Sequence, residues 1–272
     1  MSLPLLGVAI KRSDLDVLRD WIFEPNRAIE IQDFVMPDLI AGDCAPLIAD
    51  YQAALAGHEG PRGIHGPFFG LDLSNPDAEI RAVIQQRLLK GLEIAEALGG
   101  SHMVVHSPFT YWHLLNRDNY PDLHDSMIEA IAACLDPVLA RAGDIGCIVM
   151  LENIDDTDPR HRREAVERID HPNLKLSLDT GHAELAHGCY GAPPVVDFIA
   201  QAGGLLGHVH LQDADGWADR HWHPGEGRVP WPAVFAALGR LEQSPRLILE
   251  VRGRLGQLPA TVAALKERGL AC

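Results

Sequence analysis

The chain has 272 residues, 47% of them hydrophobic and 22% charged, a composition that fits a soluble globular protein with a large core. Its 38 acidic against 23 basic side chains give a net charge of −15, which opposes non-specific binding to nucleic acid or an anionic membrane without excluding a local basic channel. The longest apolar runs fall far short of the ~20 residues a membrane-spanning helix needs, and five cysteines at scattered spacings, with no CxxC pair, point to a reducing cytoplasm and away from a thiolate metal site.

Along the chain, short β-branched runs alternate with longer helical patterns. MSLPLLGVAIKR has no basic leader ahead of its apolar run and reads as a first strand rather than a signal peptide. Strands are predicted at LLGVAI from Leu5, AIEIQDF from Ala28, GIHGPF from Gly63 and HMVVHSPF from His102. Four more follow at CIVMLEN from Cys147, LKLSLDTGH from Leu174, GHVHLQD from Gly207 and LILEV from Leu247. The clearest helix runs from Asp77 to Leu98, with Ile80, Ile84, Leu88, Leu92 and Ala95 on one face, behind a Ser74-Asn75-Pro76 capping signal and ahead of Gly99-Gly100. Further helices are expected over 123–142, 195–202, 232–241 and 260–268. Eight strand–helix repeats with right-handed crossovers close most simply into a (β/α)8 TIM barrel. A doubly wound open sheet would carry a glycine fingerprint after an early strand, and neither GxGxxG nor GxxxxGKS occurs. Nothing marks a linker, so residues 1–272 read as one domain.

A parallel strand buried on both faces should be almost wholly apolar. Here strand after strand ends in a metal-ligand type: His65, His106, Glu152, Asp179 with His182, His210 and Glu250. A barrel converges all its strand C-termini on one mouth, where barrel active sites lie. A lone histidine or glutamate at a strand end is more often a hydrogen-bonded core or loop residue, but recurrence at six strand ends argues for a shared site. Glu152 and Glu250 each follow an apolar run, and a carboxylate entering a barrel needs a cationic partner to offset desolvation. His208 and His210 alternate and face the same side, so His208 is expected as a core histidine one layer below. His102 opens its strand at the far end and is expected to play no part in the site. The long stretch LQDADGWADRHWHPGEGRVPW after the seventh strand adds Asp219 and His221 as candidate ligands. Trp112, Trp217 and Trp222 are expected in loops at the same mouth, as walls of a sugar-sized pocket or as lid packing.

These motifs, LEN at Glu152, LSLDTGHAEL at Asp179 and His182, HVHLQD at His210 and HxxPGEGxVPW from His221, resemble the xylose isomerase-like TIM barrel superfamily. That group joins sugar and sugar-phosphate isomerases and epimerases to the endonuclease IV-like abasic-site enzymes. Similarity to the first branch implies one divalent ion (Mn, Mg, Co or Zn) on Glu152, Asp179, His210 and Glu250. It further implies Glu152 and Glu250 as an acid/base pair that works through an enediolate, with His182 contacting the substrate or assisting proton transfer. Similarity to endonuclease IV implies up to three zinc ions on His65, His106, Glu152, Asp179, His182, His210, Asp219, His221 and Glu250. Against that second branch stand Phe68, where a tyrosine would be expected, the proline of HWHPGEG, and a loop with more acids than bases. The expectation is a cytoplasmic, metal-dependent isomerase or epimerase of a small sugar, sugar phosphate or polyol ketone, as a monomer or homo-oligomer. Phe68 joins the three tryptophans in its substrate pocket. An abasic-site endonuclease and a metal-dependent dehydratase or lyase are the alternatives.

Overall fold

The structure is a computed structural model that describes residues 3–272. Eight parallel strands close in sequential order: β1 (Gly7–Ile10), β2 (Ile29–Ile31), β3 (Arg62–His65), β4 (His102–His106), β5 (Ile148–Glu152), β6 (Leu174–Asp179), β7 (Leu206–Leu211) and β8 (Arg246–Leu249), with β8 pairing back onto β1. All eight predicted strands are present; Met1 and Ser2, at the head of the first predicted run, lie outside the described residues. Successive side chains in a strand face opposite ways. Ile29 and Ile31, Val149 and Leu151, Leu176 and Leu178, and Val209 and Leu211 therefore belong to the hydrophobic layer beneath the helices. Their neighbours Glu30, Glu152, Ser177, Asp179, His208 and His210 are just as buried, at 0–1% exposure, but face the lumen. Barrel interiors are usually filled by branched apolar side chains, so this one is polar through at least two layers.

Register brings the functional residues level with one another. His106 pairs with Glu152, Glu152 with Ser177, and Asp179 with His210, after a register shift in β6 between Leu176 and Ser177. The helix over Ala78–Ala97 is capped by Asp77, whose carboxylate accepts from Glu79 N at 2.8 Å, rather than by the preceding Ser-Asn-Pro. Its buried stripe is Ile84, Leu88, Leu92 and Ala95, whereas Ile80, at the uncovered first turn, is 47% exposed. Gly99, at φ +69°, ends it.

Two local readings need correction. LSLDTGH is not one strand: β6 stops at Asp179, whose Oδ1 caps the next helix (Thr180–Tyr190) by accepting from His182 N at 2.7 Å. The side-chain cap competes with strand continuation, so His182 sits in a helical first turn. Trp112 lies on a short helix, Tyr111–Asn116, and not in a loop.

An ion pair braces the rim from behind. Arg162, 2% exposed, meets Asp156 at 2.9 Å and donates to the carbonyls of Leu151 at 2.9 Å and Ser177 at 2.6 Å, tying the ends of β5 and β6 together. Removing one partner of a buried pair strands the other charge. Asp156→Asn should therefore lower stability by about 3–5 kcal/mol, read as a fall in the urea midpoint at unchanged slope; an unchanged midpoint would show that Arg162 is satisfied by the carbonyls alone.

Candidate metal centre

Among the described residues, four groups of donors each lie within 4.8 Å of one another: one deeper in the lumen, Glu30, His208 and His210, and three at the barrel mouth. A central group is Glu152, Asp179, His210 and Glu250; one flank is His65, His106 and Glu152; the other is His182, Asp219 and His221. Glu152 is shared between the centre and the first flank: Oε1 lies 2.6 Å from His210 Nδ1, and Oε2 lies 3.6 Å from Nε2 of both His65 and His106. Glu250 Oε2 is 3.3 Å from the same His210 Nδ1. On the far side Asp219 faces His182 Nε2 at 3.5 Å and His221 Nε2 at 3.1 Å.

The imidazoles are oriented as ligands. His65, His182 and His221 each direct Nδ1 to a backbone carbonyl, of Gly66 (2.9 Å), Asn153 (2.9 Å) and Glu250 (3.0 Å). A carbonyl only accepts, so each Nδ1 carries the proton and the Nε2 lone pair is left facing the group. His221 holds this pose at φ +49°, left-handed backbone that costs a non-glycine residue of order 1–3 kcal/mol, and its N–H donates to Gln212 Oε1 at 2.9 Å.

The buried carboxylates are only partly compensated within the chain. Among the described residues, Glu152 Oε2 and Asp179 Oδ2 are buried with no hydrogen-bond partner. Burial pushes Asp179 up to about 7, with His182 pulling the other way and Glu152 and Glu250 adding to the rise. Burial also pushes His106 down to about 3, helped by His65. Burial by itself would discharge His210 and His182. The surrounding carboxylates (Glu250, Glu30 and Glu152 around the first, Asp179 and Asp219 around the second) instead hold both well above the ordinary histidine value. Protons on these rings stand where a divalent cation would supply the same charge. Orphaned carboxylate oxygens, oriented imidazole lone pairs and an oxygen/nitrogen donor set without thiolate fit zinc, manganese, cobalt or magnesium.

The supporting residues include four that sequence reasoning missed. Asn153 clamps β5 to β6, donating Nδ2 to Asp179 O (3.0 Å) and accepting from Asp179 N (2.8 Å). Gln212 Nε2 donates to Asp179 Oδ1 (3.1 Å) and Asp219 Oδ1 (2.9 Å), and it reaches them because a Cβ on Gly181 would occupy its place. Gln32 donates to Glu250, and Glu30 bonds His210 Nε2 at 2.8 Å. The available signal was a polar residue inside a buried run, as in Ile29-Glu30-Ile31. His102, expected to stand apart, joins the centre through Glu30, which its Nε2 meets at 3.0 Å. Of the aromatic residues, Phe68 stacks on His106 (4.1 Å between centroids) and edges His65 (5.0 Å). Trp222 is half-buried and pairs through its backbone with Asp213, whereas Trp112 and Trp217 are 48% and 75% exposed.

The lumen of the closed eight-stranded barrel thus gathers buried acids and imidazoles that could hold a metal ion. The profile of the xylose isomerase-like TIM barrel family matches residues 27–268, and the chain belongs to that family. It is 26% identical to D-psicose 3-epimerase of Ruminiclostridium cellulolyticum over 71% of this chain and 63% of that protein. It is 31% identical to a probable endonuclease 4 of Symbiobacterium thermophilum over 60% of each. The matched segments thus span about 60% of these curated relatives. Over 96% of both chains it superposes on the TTHB071 protein from Thermus thermophilus, in a structure obtained with zinc chloride soaking, with a TM-score of 0.72 and 27% identity.

Asp213 holds the long loop that carries Asp219 and His221. Its Oδ1 accepts from Ala214 N (3.0 Å) and Val229 N (3.0 Å), and its Oδ2 from Gly225 N (2.7 Å) and Trp231 Nε1 (2.8 Å). Each buried donor left unmatched costs roughly 1–3 kcal/mol. Asp213→Ala should therefore open this loop to limited proteolysis between 214 and 230 and weaken divalent-ion binding; a protease-resistant loop would show that the barrel rim holds it unaided.

Proposed function

We propose that the chain is a divalent-metal-dependent epimerase or isomerase of a small carbohydrate bearing a carbonyl, with Glu152 and Glu250 as its acid/base pair. The observation that carries this reading is the central group, in which two glutamates from β5 and the end of β8 both approach His210 Nδ1 beside Asp179. Glu152, Asp179, His210 and Glu250 would hold the ion, which when bound supplies the Lewis acidity that polarises the substrate carbonyl. One glutamate takes the proton from the carbon next to that carbonyl, and the other returns a proton to carbon. The burial of both carboxylates keeps bulk water from the exchanging proton. His182, in the helical turn beside Asp179, is placed to contact a substrate hydroxyl. Phe68, which packs on His106 and His65, would form an inner wall with Trp222 beside it in the loop after β7, and Trp112 and Trp217 are exposed on segments that follow β4 and β7. The similarity to a psicose epimerase supports a ketose-like substrate. The five cysteines are all free, which suits the reducing cytoplasm, and among the described residues no helix is long and apolar enough to cross a membrane.

A second reading, an abasic-site endonuclease, is favoured by one observation: the two flanking groups complete a set for three ions, more than the epimerase chemistry requires. Its weakness is the charge at the rim. Arg160, Arg220 and Arg254 are each engaged by a carboxylate, Asp158 (2.6 Å), Asp215 (2.8 Å) and Glu226 (2.7 Å), which leaves those cations committed rather than free for a phosphate backbone.

Elemental analysis of protein purified without chelators comes first. One ion per chain supports the epimerase reading, and three zinc ions with nicking of an abasic duplex would replace it. Restoring the ion to stripped protein at a hundred times its Kd should stabilise the fold by about 2.7 kcal/mol, seen as a higher Tm. The gain should shrink as pH falls, because protons on His210 and His182 compete for the same lone pairs. In a ketose and keto-acid screen, Glu152→Gln and Glu250→Gln should each lower kcat by roughly 10²–10⁴-fold with the fold intact; full activity in either would remove that residue from the pair.

A further inference from the structure

We propose that Glu30 is a positioning residue for the central metal group: it takes the Nε2–H of His210 and thereby makes Nδ1 the ligating atom. The argument is a proton inventory. Glu30 is fully buried, and its ionised carboxylate can only accept. Oε1 meets His210 Nε2 at 2.8 Å, and Oε2 meets His102 Nε2 at 3.0 Å and His208 Nε2 at 3.1 Å. The two hydrogen-bonded rings, His210 and His102, therefore carry a proton on Nε2, whereas the His208 contact is not a hydrogen bond and does not fix that ring's tautomer. Two of the three remaining Nδ1 atoms are occupied. The Ser177 hydroxyl bonds His208 Nδ1 at 2.9 Å, and the Arg246 guanidinium donates to His102 Nδ1 while bonding Ser101 Oγ at 3.1 Å. Only His210 Nδ1 faces the mouth, between Glu152 and Glu250.

This orientation is the reverse of that of His65, His182 and His221, which present Nε2 and lock Nδ1–H on backbone carbonyls. Of these four rings, His210 alone has its tautomer set by a side chain. Arg246 supplies the compensating charge for Glu30 through His102, so the support runs from the floor of the barrel to the central group. The Glu30 stack also explains the glycine of β3, since a Cβ on Gly63 would occupy the place of the His102 ring.

The inference rests on the metal-binding part of the function proposed above, not on its substrate. The test pairs titration of the stripped protein with cadmium or zinc against a competing chelator with nitrogen-15 NMR of the histidine rings. In the wild type, the spectra should show His210 protonated at Nε2 and bound through Nδ1. In Glu30→Gln, which offers one accepting oxygen for the two N–H groups of His210 and His102, affinity for the ion at the central group should fall about 10–100-fold. The His210 tautomer should become mixed while the flanking groups keep their ions. Glu30→Asp, which keeps the carboxylate, should recover part of the loss. Ligation through Nε2 in the wild type, or wild-type affinity and tautomer in Glu30→Gln, would overturn the inference while leaving the metal reading intact. A wild type that binds no divalent ion would overturn both. The wild-type spectra decide the question even if Glu30→Gln fails to fold.

Discussion

The constraint on which this structure turns is the cost of burying carboxylates. Glu30, Glu152 and Asp179 are essentially sealed from solvent and Glu250 nearly so. An ion taken from water into a protein interior carries an effective penalty of several kcal/mol unless it is paired and hydrogen-bonded. The barrel meets that cost in two tiers. In the lower tier, Glu30 accepts from two imidazoles, His102 and His210, lies 3.1 Å from His208 Nε2 and is balanced by Arg246. In the upper tier, Glu152, Asp179 and Glu250 are left in mutual repulsion, relieved only in part by protons on His210 and His182. The lower tier is largely paired within the chain, and the upper one keeps unsatisfied carboxylate oxygens that could hold a cation.

Most of the remaining architecture serves to hold that upper tier still. Arg162 fastens β5 to β6 behind the rim, Asn153 fastens them in front, and Gln212 ties Asp179 to the loop bearing Asp219. Asp213 then folds the loop onto itself, with Gly227 packed where a Cβ would meet Asp213 and Ala214. Preorganised ligands lose little freedom on binding, and supporting partners of this kind tune both affinity and orientation. The strained His221 backbone is tolerated because hydrogen bonds on both its sides determine it.

Family membership leaves two chemistries on one scaffold, since a fold does not by itself define a function. The central group would serve proton transfer next to a carbonyl, while the two flanks would suit phosphodiester cleavage by adding ions. The difference lies at the rim. Arginines paired with acids, and an aromatic ring stacked on His106, suit a compact neutral or anionic metabolite better than a polyanionic duplex.

Alternation and strand-end chemistry made the barrel legible from the sequence. A run such as Ile148–Glu152, apolar until its last residue, announces both its burial and its open end; the strands bearing His106, Asp179 and His210 also carry His102, Lys175 and Ser177, and His208, and mark their open ends only by the ligand-type residue there. The sequence by itself therefore determined the strand order, the single core and which residues meet at one mouth, because those follow from local periodicity and the closure of the barrel. Only the tertiary structure decided how the residues divide into three groups and which nitrogen of each histidine faces inward. Glu30 and His210 lie 180 positions apart, and nothing local to either one records the other. The end of β6 at Asp179 and the uncovered first turn at Ile80 were likewise settled by side-chain capping and by what packs above them, and periodicity does not encode either.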